Sequence, residues 1–110
     1  MFKINNKTNK ITLTKGDNAE LTVKIIDSNG VQRGIYDDDV ITLTVRKTAD
    51  SEEVALSKTA VDGKIAFAPE DTNSLSVGLY CYDIQLTTFG GKIYTVIPLS
   101  IFEISYEVTR

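Results

Sequence analysis

Histidine and tryptophan are absent from the 110 residues, and cysteine and methionine occur once each. Without histidine there is no Ser-His-Asp or Cys-His nucleophile pair, no HExxH metal site and no imidazole general base. A lone thiol, Cys81, can neither close an internal disulfide nor build a zinc cluster. With no Trp beside five Tyr and four Phe, little is on hand for a sugar-stacking platform. Positive charge is also scarce: twelve Lys and Arg stand against fifteen Asp and Glu, for a net charge of -3 and a pI near 4.8. Nucleic acid and anionic membrane are therefore not expected partners. No apolar run reaches the ~18 residues of a membrane span, and MFKINNKTNK lacks the apolar centre of a secretory signal. The chain is expected to carry no signal peptide and to be made in the cytoplasm.

What the chain has in quantity is β-branched residues: 12 Ile, 9 Val and 13 Thr. These fit a pleated surface and are poorer helix formers. Period-two alternation runs through Ile11 and Leu13, through Leu21, Val23 and Ile25, and most regularly through Ile41, Leu43 and Val45. It returns at Val54 and Leu56, at Ile65 and Phe67, in GLYCYDIQL (Gly78 to Leu86), at Ile93 to Val96, and in Phe102, Ile104, Tyr106 and Val108. Turn chemistry separates these runs. Lys15 to Asn18 reads as one turn, Asn29-Gly30 as a type I′ turn from which Val31 onward folds back as a short strand, Asp62-Gly63 as a second hairpin and Phe89-Gly90-Gly91 as a third. Pro69 ahead of Glu70 and Asp71 suits a helix amino terminus. The expectation is one domain over 1–110: an all-β, antiparallel two-sheet sandwich of seven to nine strands with one helical turn near 69–74. A small barrel or jelly roll would show the same spacing. Gly78-x-Tyr80-x-Tyr82 resembles a core strand of many immunoglobulin-like domains and favours that topology, with each tyrosine hydroxyl needing a partner at the sheet margin.

Each group that could carry chemistry has a plainer role. Asp37, Asp38 and Asp39, with Asp50, Glu52 and Glu53, could supply oxygen ligands to a hard cation, but neighbouring strand residues point to opposite faces and no EF-hand spacing is present. A solvated acidic loop is the expected state. Glu70 and Asp71 are read as helix-terminal acids and not as an acid/base pair. Cys81 has the parity opposite to Tyr80 and Tyr82, with no cationic neighbour in sequence to activate it. Gly90-Gly91-Lys92 lacks the following Ser or Thr and helix of a phosphate loop. No catalytic residue, metal site or cofactor is assigned, and no enzyme activity is expected.

The expected core is Leu21, Val23, Ile41, Leu43, Val45, Phe67, Tyr80, Tyr82, Ile84, Leu86, Ile104 and Tyr106. Between Ile93 and Ile104 apolar residues fall on both parities, while Pro98 and Glu103 give that stretch little edge protection. Ile93, Ile97, Leu99 and Ile101 are therefore the candidate face for self-association, with Phe2 and Ile4 of the amino-terminal arm as an internal alternative cover.

ITLTKGDNAELTVKIIDSNG, VITLTVRK, FAPEDTNSLSVGLYCYDIQL, GGKIYTV and FEISYEVTR, in that order, resemble the small immunoglobulin-like proteins of tailed bacteriophages and prophages, in particular the amino-terminal domain of baseplate upper proteins. The likeness runs from about Ile11 to Arg110. It departs at Tyr36-Asp37-Asp38-Asp39, where the family tends to have a Leu-Thr-Gly-type turn, so no role for that loop carries over. The resemblance implies a non-enzymatic structural or adaptor protein of the virion tail or baseplate, made in the bacterial cytoplasm. Its partners would be other tail proteins and copies of itself. The alternative is an immunoglobulin-like binding module of a bacterial surface protein, contacting carbohydrate.

Overall fold

Alternation becomes strand wherever the sequence sustains it. The computed structural model describes residues 2–5, 7–26 and 29–106, of which 54% lie in strands and 5% in helix. The elements in order are β1 (Phe2–Ile4), β2 (Ile11–Thr14), β3 (Ala19–Thr22), β4 (Ile25–Ile26), β5 (Gln32–Arg33), β6 (Val40–Arg46), β7 (Val54–Thr59), β8 (Lys64–Phe67), α1 (Pro69–Asn73), β9 (Gly78–Thr87) and β10 (Ile93–Ser105). Ten strands among the described residues replace the expected seven to nine: the arm adds β1, the run through Leu21 and Ile25 divides into β3 and β4, and the runs at Ile93 and Phe102 join as β10.

Six strands form one sheet in the order β1-β2-β10-β9-β6-β7, while β3 pairs with β8 and β4 with β5. Every pairing is antiparallel except β2 with β10, which is parallel over Phe102–Ser105. Those two strands are remote in sequence, so no tight turn forces them to run in opposite directions. One buried cluster draws on all three sheets: Ile11 and Leu13, Leu21 and Val23, Ile25, Ile41, Leu43 and Val45, Ile65 and Phe67, Tyr80, Tyr82, Ile84 and Leu86, Phe102 and Ile104. A tilted ring contact links Phe67 to Phe102 at 5.9 Å, and an edge-to-face one links Tyr82 to Phe102 at 6.0 Å.

Tyr106 does not belong to this core. The last strand ends at Ser105, so the parity that buries Phe102 and Ile104 is lost and Tyr106 stands 68% exposed. Val108 lies outside the described residues. Asp62 and Gly63, with φ of 54° and 77°, make the expected two-residue hairpin, closed by reciprocal bonds between Val61 and Lys64. The Asn29-Gly30 hairpin is longer than two residues, since Ile26 pairs with Gln32 and five residues intervene.

α1 matches the expected helical turn, and Asp71 is engaged in structure. Asp71 accepts the Ala68 backbone N–H at 2.8 Å and an ion pair from Lys58 at 3.1 Å. One residue later, fully buried Thr72 accepts the Gly16 N–H through Oγ1 at 2.9 Å, tying the β2–β3 turn to α1. Thr72→Val keeps the volume and removes that acceptor, so a loss of about 1–3 kcal/mol is expected in urea unfolding. An unchanged midpoint would show that the Gly16 N–H finds another acceptor.

Candidate interaction surface

The sequence-derived face does not survive as one patch. Ile93 and Ile101 oppose Thr87 and Cys81 on the outward side of the six-stranded sheet, but Ile97 opposes Ile84 and packs against the core. Register shifts between Thr95 and Ile97 and between Ile97 and Ser100 rotate the strand there. Leu99 falls in the second shift and is exposed. Those shifts and Pro98 protect the middle of the strand, from Thr95 to Ser100, and leave its start without such protection. The arm does not cover this region either. Phe2 and Ile4 pair with the far side of β2, and the Phe2 ring lies 6.4 Å from Phe67.

Exposed apolar side chains gather instead at the end of the sheet carrying the 88–92 turn. Thr88 closes that turn, its N–H reaching the Lys92 carbonyl at 2.9 Å and its own carbonyl accepting from Gly91, also at 2.9 Å. Phe89 is left at the tip, 85% exposed. Below it, Val40, Thr87 and Ile93 form an outward row across β6, β9 and β10, and both aliphatic members are exposed. A large aromatic beside aliphatic neighbours is the composition of a contact surface.

On the inward side of the same end, Ile41, Leu86 and Tyr94 form the matching row. Ile41 and Leu86 are buried, yet Tyr94 is 51% exposed. It borders a groove of about 600 Å³ between the start of β10 and the β4–β5 hairpin, walled by Ile25, Ile26, Leu86 and Val96 and edged by Lys24 and Arg33. The hairpin is held by Arg33, which donates to both carboxylate oxygens of Asp39 at 2.8 and 3.2 Å and lies 4.3 Å from the Tyr36 ring centre. Asp39 also accepts the Tyr36 N–H at 2.8 Å. The Arg33 bonds, then that of Tyr36, hold its carboxyl below the usual carboxylate range, and the Asp39 bond raises the guanidinium.

Asp39 is thus a clamp and not part of a solvated loop, whereas Asp37 and Asp38 are exposed as expected. A second cleft, of about 370 Å³, has Tyr36, Asp37, Asp39 and Asp62 on its walls. Asp50, Glu52 and Glu53 follow the opposite end of β6, where Arg46 binds the Ser51 and Glu52 carbonyls at 3.1 and 2.8 Å. The two acidic groups are not brought together, and the described residues contain no cluster of three or more metal-ligating side chains. Cys81 is half-buried on the outward face, opposite Arg46 and Ile101. Gly90-Gly91-Lys92 is the hairpin turn read from the sequence.

Sequence reasoning missed the groove and Phe89. Two signals were available: an aromatic in a turn whose closure does not need it, and Tyr94, which keeps core parity beside a polar residue. Among the described residues no helix is long and apolar enough to cross a membrane. No protein-family model matches this chain, nor does any curated protein or solved structure.

Proposed function

We propose that this protein is an immunoglobulin-like sandwich serving as a non-enzymatic structural or adaptor component of a bacteriophage or prophage tail or baseplate. The phage assignment rests on the ordered sequence motifs. The topology is supported by β3 and β8 sharing one core with a sheet ordered β1-β2-β10-β9-β6-β7, and by the Tyr80 hydroxyl, which donates to the Ser76 carbonyl at 2.8 Å. A tyrosine bonding back to upstream backbone where a strand leaves the preceding corner is a habit of such domains.

Action through protein contacts is carried by one observation: the exposed apolar end around Phe89, Val40 and Ile93. Copies of the chain associate through it. At tens of micromolar, light scattering after size exclusion should give a mass above the 12.1 kDa monomer, and Phe89→Asp should return the monomer. A wild-type peak that stays at the monomer mass would sink self-association. The tail assignment is tested separately, by immunoblotting purified phage particles. Co-sedimentation with tails at fixed stoichiometry is expected; recovery only from the cell envelope would favour the surface-module alternative.

A further inference from the structure

Where the Ile41–Leu86–Tyr94 row runs out, the edge of β10 opposite β9 is open among the described residues. β2 covers β10 only over Phe102–Ser105, and among the described residues no strand pairs with that side over Ile93–Ile101. Because β2 runs parallel to β10, residues preceding Ile11 would lie along this bare edge if the chain continued straight. They do not. Asn5 Oδ1 accepts the Lys7 and Thr8 N–H groups at 2.8 and 3.1 Å, Asn9 turns through a φ of 62°, and the chain doubles back to place β1 on the other side of β2. A strand position is left vacant beside the groove.

We infer that this vacancy is a strand-addition site for a short extended segment of a partner protein whose apolar side chains alternate with carboxylates. The inference rests on reading the protein as a contact-making module. Main-chain groups at the start of β10 supply the pairing, and the register shifts with Pro98 limit it to about three or four residues. An apolar side chain of the segment seats over Leu86 and Val96, beneath Tyr94. The carboxylate is called for by Lys24 and Arg33 at the edge, since no acidic residue lines the groove. Arg33 is already engaged by Asp39, so Lys24 carries the attraction.

The test is an amide-shift NMR titration of the whole chain with a capped hexapeptide alternating valine and glutamate, beside its lysine-for-glutamate counterpart. Shifts are expected at Lys24–Ile26, Leu86–Thr88 and Tyr94–Ile97, with the glutamate peptide bound more tightly. Lys24 is exposed, so Lys24→Glu should leave the fold intact, weaken the glutamate peptide by about tenfold or more and favour the lysine peptide. Four results would each overturn the inference: no shifts at millimolar peptide, shifts at another sheet edge, equal binding of both peptides, or movement of the Lys24–Ile26 resonances on raising protein concentration alone. The last would put a second copy in the groove. Because particle association is measured independently, failure here leaves the tail assignment standing.

Discussion

Leu43→Ala or Ile84→Ala should each lower unfolding free energy by about 2–5 kcal/mol. Both side chains are fully buried, and they oppose one another across β6 and β9 in the middle of the six-stranded sheet. Neighbouring strands hold the backbone in register on both sides, so the site has little room to collapse around lost methyl groups, and cavity cost adds to the lost burial. The outward pair Thr42 and Gln85 supplies the control: alanine at either should move stability by about 0.5 kcal/mol or less. Because Leu43 and Ile84 share one packing environment, the double mutant should depart from additivity. Denaturant midpoints unchanged in both single mutants would mean that this parity does not face the core.

That parity was legible because period two is local and strict. Ile41, Leu43, Val45, Tyr80, Tyr82, Ile84 and Leu86 needed only their own spacing to be put on one face, and all are buried. Ile11, Leu13, Ile25, Ile65 and Phe102 are just as deeply placed but sit on shorter runs or strand ends, where alternation alone did not rank them. Errors came where a strand broke its own rhythm. Two register shifts turned Ile97 inward, and termination at Ser105 released Tyr106. The candidate surface was less readable than the core because it depends on which strands fail to meet. That β2 stops short of Tyr94, and that Arg33 reaches Asp39 to hold the hairpin beside the groove, are facts of tertiary placement. Phe89, an aromatic in a hairpin turn, carried a signal in the sequence that its turn assignment left unused.

Raising the pH from about 9 to 12 should selectively weaken the wild-type protein relative to Tyr82→Phe. Tyr82 is buried, and burial pushes its hydroxyl up to about 12, against an unfolded value of about 10. The sign follows from proton counting. Below pH 10 the phenol is protonated in both states and its native contribution is intact. Above it the unfolded chain releases the proton while the native one retains it, so stability falls until the folded value is passed. The rise from about 10 to about 12 corresponds to roughly 3 kcal/mol, which the position of the hydroxyl beside partly exposed Asn9 trims to about 1–2 kcal/mol. Near neutral pH the order is reversed, because the Tyr82 hydroxyl donates to the Asn9 carbonyl and Phe forfeits that bond, at about 0.5–1.5 kcal/mol. Other alkaline groups are common to both proteins and cancel in the difference. Urea unfolding across this range should therefore show the wild-type advantage shrinking with pH, and absorbance titration should show a late tyrosinate that the variant lacks. A difference independent of pH would mean that Tyr82 ionises alike folded and unfolded, and would leave its bond to Asn9 as its only polar contribution to the fold-back that bares the β10 edge.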